Sequence, residues 1–263
     1  MNLENVRELR FLVESYYDLQ KLRIETGNRL YQLLGKDKLQ DARYVGLTST
    51  FKQLKQLEKG VSDHIKWQVK ELPIWENWLK DVKGIGHILT GGLFAWICGQ
   101  QHTDECLKKR EKYFAKKKKG AKKRKERFEC KCPIMGIARF PYVSSLWKYC
   151  GLDVVDGKAP RRAKGQKITW NPRMRTLCWK IGESFVKTHG FYRDQYEEFR
   201  EQEDTKHPKL SKLHRFNRAK RKTVKLFLSH FFATWYRIEG LEAPKPYAIA
   251  VLEHKHEIKP IVA

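Results

Sequence analysis

"DVKGIGHILTGGLFAWICG", Asp81–Gly99, is the stretch on which the reading of this chain turns. Val82, Gly84, Ile85 and Gly86 lead into an apolar run at helical spacing. Glycine permits backbone angles that a side chain forbids. It also lets main-chain N–H groups at the start of the next helix come close to an anion. The pattern is that of a helix-hairpin-helix turn, in which Lys83, Gly84, Ile85, Gly86 and His87 hold nucleic-acid phosphates without reading base sequence. Lys83 adds charge beside the turn, and His87 is placed to donate to a second phosphate. The alternative is a tight interhelical turn, with Gly91 and Gly92 serving close helix packing.

Upstream, Val6, Leu9, Leu12, Val13, Tyr16, Leu19, Leu30, Leu33 and Leu34 recur at helical spacing, and Phe51, Leu54, Leu57, Val61, Ile65 and Val69 repeat the pattern. They predict two long amphipathic helices, an antiparallel hairpin or coiled coil that is also a candidate homodimer surface. Pro73 marks the start of a short helix. Downstream, "CPIMGIARFPYVSSLWKYCGL" regains a globular character after a break in composition. Helical pattern follows through Cys178, Trp179, Ile181, Phe185 and Val186. A last helix carries Val224, Phe227, Leu228, Phe231 and Phe232 on one side. Few stretches alternate as strands do, so the fold class is mostly α. The organisation expected is a helical hairpin over 1–72, the helix-hairpin-helix over 73–99, a basic insert over 100–132 and a helical domain with a tail over 133–263.

The chain has 263 residues, 41% of them hydrophobic, enough for a sizeable core. Its 55 Lys and Arg against 30 Asp and Glu give a net charge of +25. Charge of that size attracts a polyanion with salt-sensitive affinity, and nucleic acid is the leading partner. A membrane is not, because no stretch approaches the roughly 20 apolar residues of a spanning helix. The N-terminal stretch is not built as a signal peptide. Six cysteines in such a chain point to free thiols or a metal rather than disulfides, and a cytoplasmic location is expected.

The insert concentrates its charge in Lys108–Arg127, including Lys116, Lys117, Lys118, Lys119, Lys122, Lys123, Arg124 and Lys125. Self-repulsion should keep such a run extended or loosely helical, and nucleic acid is the partner it suits. Tyr113 and Phe114 are candidates to stack on bases. His102 and Cys106 precede the run, and Cys130 and Cys132 follow it. These four suit a closed tetrahedral zinc site that pins the base of the insert, with Cys98 able to replace the histidine because 98, 102 and 106 would share a helix face. Free thiols are the alternative; Cys150 and Cys178, among apolar neighbours, read as buried thiols.

A second basic loop, "KAPRRAKGQKITWNPRMR", offers Lys158, Arg161, Arg162, Lys164, Lys167, Arg173 and Arg175 to a phosphate backbone, with Trp170 to stack. Asn171-Pro172 marks the start of the next helix. His207, His214, His230, His254 and His256 have no partners that the sequence identifies, and Asp153 with Asp156 is a poor case for two-metal chemistry.

Five ordered blocks carry a resemblance: "WLKDVKGIGHILTGGLFAWI", "IARFPYVSSLWKYCGL", "PRMRTLCWKIGESFVK", "FYRDQYEEFREQE" and "RAKRKTVKLFLSHFFATWYRIEG". Together they resemble the C-terminal half of the insertion sequence one-ten family of transposases, the RNA-bridged recombinases. "YYDLQKLRIETGNRLYQLL" is similar to the coiled-coil linker before that domain, so the resemblance covers nearly all the chain except the insert. It implies binding to DNA, with a guide RNA in the family at large. Family members also carry an N-terminal nuclease domain, which has no counterpart in this sequence, and a nucleophilic serine as Ser-Gly in the loop after the "YxGL" segment. Here that loop holds Asp156-Gly157, and a carboxylate cannot form the phosphodiester link that serine forms. Ser144 and Ser145 lie before it, where a helix N-cap explains them. No catalytic residue is therefore assigned. The expectation is a nucleic-acid-binding protein without strand transfer of its own; the alternatives are a structured-RNA or ribosome-associated binder, and a recombinase whose nuclease acts in trans.

Overall fold

A computed structural model describes residues 3–35, 44–118, 130–154, 157–244 and 258–259 of the chain. Helices α1 (Leu3–Leu34) and α2 (Val45–Lys70) run antiparallel. Arg23 pairs with Glu58, Glu8 lies 3.3 Å from His64, and Gly27 faces Phe51, so the partners' numbers run in opposite directions. Val6, Leu9 and Val13 on one helix and Ile65 and Val69 on the other are buried between the pair and the body.

α3 (Pro73–Asn77) and a 3-10 turn (Leu79–Asp81) lead into α4 (His87–Ile97), which is apolar almost all round and buried along most of its length. Its glycines set how closely its neighbours approach. A Cβ on Gly91 would sit 2.9 Å from Ile65, and one on Gly92 would sit 2.9 Å from Leu177. Gly91 therefore faces the hairpin and Gly92 faces α7 (Pro172–Lys187), as the packing reading of these two glycines requires.

A helix ends with carbonyls that no following turn satisfies. At the end of α4 they are met by side chains. Arg10 donates to the Ala95 and Cys98 carbonyls, Tyr149 to Trp96 at 2.7 Å, and Arg139 to Ile97 at 2.8 Å. The cations also sit at the negative end of the helix dipole. Tyr149 in turn accepts from Asn171 Nδ2 at 2.6 Å, and the Asn171 carboxamide oxygen accepts from the Arg173 N–H at 2.9 Å, capping α7. Pro172 is the first residue of that helix, as the sequence predicts.

Beyond α4 a short antiparallel ribbon pairs β1 (Gly99–Gln100) with β2 (Ile134–Met135), and α5 (Asp104–Lys118) rises between them. After the ribbon come a 3-10 turn (Ile137–Arg139), α6 (Val143–Tyr149), α7, α8 (Phe191–Lys206) and α9 (Lys212–Ile238). Ser144 and Ser145 stand inside the first turn of α6 and do not cap it; Tyr142 is at the cap, with no side-chain bond. On α9, Val224, Phe227, Leu228, Phe231 and Phe232 are all buried, and Phe94 stacks on Trp235 with ring centres 4.3 Å apart. One cluster of buried apolar residues runs from Val6 to Tyr236, so the segments 1–72, 73–99 and 133–263 share a core. Among the described residues, 100–132 adds nothing to it.

Arg139→Met removes one donor from the α4 terminus and leaves the Ile97 carbonyl without it. The expected loss is about 2 kcal/mol of unfolding free energy, measured by denaturant titration at constant m.

Candidate nucleic-acid turn and metal centre

The Gly-Ile-Gly turn is held from three sides. The Ile85 N–H donates to the Val82 carbonyl at 3.0 Å, and the Ile85 side chain is only 4% exposed. Ile85 thus anchors the turn in the core and does not face a ligand with its side chain. Gly84 has φ +94°, and a Cβ there would lie 3.1 Å from Phe185. Its carbonyl accepts from the Ser184 hydroxyl at 2.6 Å. Lys83 is exposed, with its stem packed against Gly190.

Gly86 differs from Gly84. Its angles, φ −95° and ψ 175°, are open to any residue, it is exposed, and nothing lies within 4 Å of where a Cβ would stand. The first helical bond runs from the Thr90 N–H to the Gly86 carbonyl at 3.0 Å, and the glycine offers no side chain to cap the N–H groups of the opening turn. His87 does not point outward: its Nε2 pairs with the Ser62 hydroxyl at 2.8 Å across the α2 face. Burial, with Lys66 adding and Asp63 opposing, holds the imidazole below its ordinary range. A second phosphate contact from His87 would require that pair to open.

At the other end of α4 the ribbon assembles the Cys/His group. Gln100 donates to the carbonyls of Cys130 (3.0 Å) and Cys132 (3.3 Å), and the Gln101 N–H donates to Pro133. Thr103 accepts from the Cys106 N–H at 3.3 Å, which fixes the first turn of α5. The ligand atoms of His102, Cys106, Cys130 and Cys132 all lie within 4.8 Å of one another. His102 Nδ1 is 3.4 Å from the Cys106 sulfur and 3.3 Å from that of Cys130. Zinc–sulfur and zinc–nitrogen bonds at the tetrahedral angle give an N···S edge of about 3.5 Å, which these two separations approach. Hydrogen bonds from the Thr103 main chain, His102 and Cys106 pull the Cys132 thiol down to about 7. Burial and the neighbouring thiols push Cys106 up to about 12.

Cys98 is not part of this group. α4 stops at Ile97 and the chain turns extended into β1, so 98, 102 and 106 share no helix face. The Cys98 thiol is 4% exposed and pushed up to about 12, mainly by burial. Cys150 and Cys178 are buried thiols, as their neighbours suggest.

The remaining basic candidates divide. Arg161, Arg162 and Lys164 are exposed on the loop. Arg173 pairs with Glu14 at 3.0 Å, and Arg175 donates to the Pro160 carbonyl at 2.8 Å while lying over Trp170. Trp170 packs on Gly151, so its ring is not free to stack on a base. Lys116, Lys117 and Lys118 belong to α5, whereas Lys119, Lys122, Lys123, Arg124, Lys125, Asp156, His254 and His256 lie outside the described residues. Comparison with protein-family models, with curated proteins and with solved structures gave no match for this chain. Among the described residues no helix is long and apolar enough to cross a membrane. Sequence reasoning missed Arg10, Arg221 and Lys225; nothing in their spacing sets them apart from other surface cations.

Metal analysis of the purified chain should find about one zinc per molecule, and Cys132→Ser or a chelator should lower the melting temperature with loss of metal. A melting curve indifferent to chelation would leave the group as thiols. His87 gives a pH dependence of definite sign. Its pKa is lowered on folding, so the stability it contributes is complete above about pH 6.5 and is lost as pH falls towards the folded value. Stability of His87→Gln should fall less than that of the parent chain between about pH 6.5 and 5.

Proposed function

We propose that the chain is a nucleic-acid-binding protein that holds phosphates at the Gly84–His87 turn and along its Lys/Arg-rich segments. Gly86 carries the reading. Gly84 is explained by its left-handed backbone and by Phe185, but neither backbone nor packing calls for glycine at 86. A bare main chain at an uncapped helix start, in a chain of net charge +25, suits the close approach of an anion. The exposed Arg161, Arg162 and Lys164 add a second contact region.

Zinc at His102, Cys106, Cys130 and Cys132 is the second part of the proposal. The metal supplies a closed structural link, and the chain supplies three sulfurs and one nitrogen at the root of the insert. Asp156-Gly157 in place of Ser-Gly favours binding without strand transfer by this chain itself. The structured-RNA reading gains support from α5, whose described side chains are mostly exposed and include Lys108, Arg110 and Lys112.

The test compares two glycines. Gly86→Val should fold like the parent, within about 0.5 kcal/mol, and bind duplex DNA, branched DNA or folded RNA about tenfold more weakly, as expected for one lost charge-assisted hydrogen bond. Gly84→Val should instead lose about 2 kcal/mol of stability, because a branched side chain must take a positive φ. Unchanged affinity in Gly86→Val across a salt series would sink the turn as a contact. The ligand that binds tightest in the same series separates the DNA and RNA readings.

A further inference from the structure

Carboxylates along α7 and α8 take up most of the cations that face them. Glu203, 1% exposed, pairs with Arg218 and with Lys222 at 2.6 Å; Asp204 pairs with Arg215, Glu183 with Lys220, and Glu197 with Arg193 and Arg200. Three other cations gather where the loop after Leu152 crosses α9. Arg221 donates to the Asp153 carbonyl. Lys225, one turn further on, has its Nζ 4.0 Å from the centre of the Trp147 ring. Arg175 reaches in from α7: its stem packs on Gly151, two residues before Asp153, it donates to the Pro160 carbonyl at 2.8 Å, and its guanidinium lies 5.0 Å from the centre of the Trp170 ring. Burial and then repulsion from Arg175 hold Arg221 below its usual range. Burial and repulsion from Arg221 do the same to Lys225, while Asp153 opposes both. The Asp153 carboxylate has one buried oxygen, Oδ1, that takes no hydrogen bond among the described residues.

We propose that Arg175, Arg221 and Lys225 form a pocket for a dianionic phosphoryl group, the terminal phosphate of a nucleic-acid strand. The proposal rests on the nucleic-acid reading above. Three cations against one carboxylate leave two positive charges, which match a phosphate monoester of about −1.5 to −2 better than an internal diester of −1. Two guanidinium groups supply forked donors suited to phosphate oxygens. The indole faces of Trp147 and Trp170 hold two of the cations in place through cation–π contact. Arg161 and Arg162, exposed on the adjoining loop, would meet the strand behind its end. An anion entering here relieves like-charge repulsion that the folded chain otherwise bears.

The experiment uses the full chain and one oligonucleotide in three forms: with a 5′-phosphate, with a 3′-phosphate, and with hydroxyls at both ends. At fixed salt, one phosphorylated form should bind about tenfold tighter than the hydroxyl form. Inorganic pyrophosphate should compete away that advantage. Lys225→Met, which keeps the Arg221 tie to the loop, should erase the preference while leaving hydroxyl-end affinity and melting temperature nearly unchanged. Arg221→Lys, which keeps the charge, should retain most of it. Equal affinity for all three forms overturns the pocket and leaves nucleic-acid binding standing, as does a preference that survives in Lys225→Met. If no oligonucleotide binds yet pyrophosphate quenches tryptophan fluorescence in the parent and not in Lys225→Met, the pocket stands for a free phosphate ligand and the nucleic-acid reading falls.

Discussion

The carbonyls at the end of α4 are the constraint around which the molecule is arranged. A buried acceptor without a donor costs as much as a lost hydrogen bond, and an apolar helix driven into the core cannot meet that demand with water. The donors come from Arg10 on α1, Arg139 in the 3-10 turn and Tyr149 on α6. Each of those elements is therefore fixed to one point. Tyr149 passes the connection to Asn171, which starts α7, and α7 carries the Ser184 hydroxyl that holds the Gly84 carbonyl at the opposite end of α4. The two ends of one helix are thus tied together through a second helix.

Charge is distributed with the same economy of position. Glu203 is nearly sealed from solvent, and its carboxylate persists as an anion because Arg218 and Lys222 converge on it. Burial raises its pKa, and those two partners outweigh the burial. A buried carboxylate in this setting fixes the register of α9 on α8 more than it adds stability, since the desolvation of the three charges offsets much of their attraction. Among the described residues, exposed cations without a carboxylate partner of this kind include Arg161, Arg162 and Lys164 on the loop after α6.

Much of the fold was legible from periodicity. The hairpin, Pro73, the Asn171-Pro172 start and the apolar stripe of α9 follow from spacing and local chemistry, which act within a few residues. What failed was long-range. Cys98 reads as continuous with the helix before it until the pairing of Gly99 with Met135 is known. Arg173 reads as a loop cation, yet it stands in the first turn of α7 and Glu14 engages it. His87 reads as exposed until α2 is laid beside it. The four-residue Cys/His group was legible because its spacing brackets the insert, whereas the closure that brings it together depends on Gln100, a residue with no signature of its own.

α4 also sets a length. Its eleven residues, at 1.5 Å each, separate the bare main chain at Gly86 from the ribbon by about 16 Å. Because the helix is buried and fastened at both ends, that separation is rigid. The helix thus fixes the distance between the glycine turn and the Cys/His group, and neither can shift along its axis without the other.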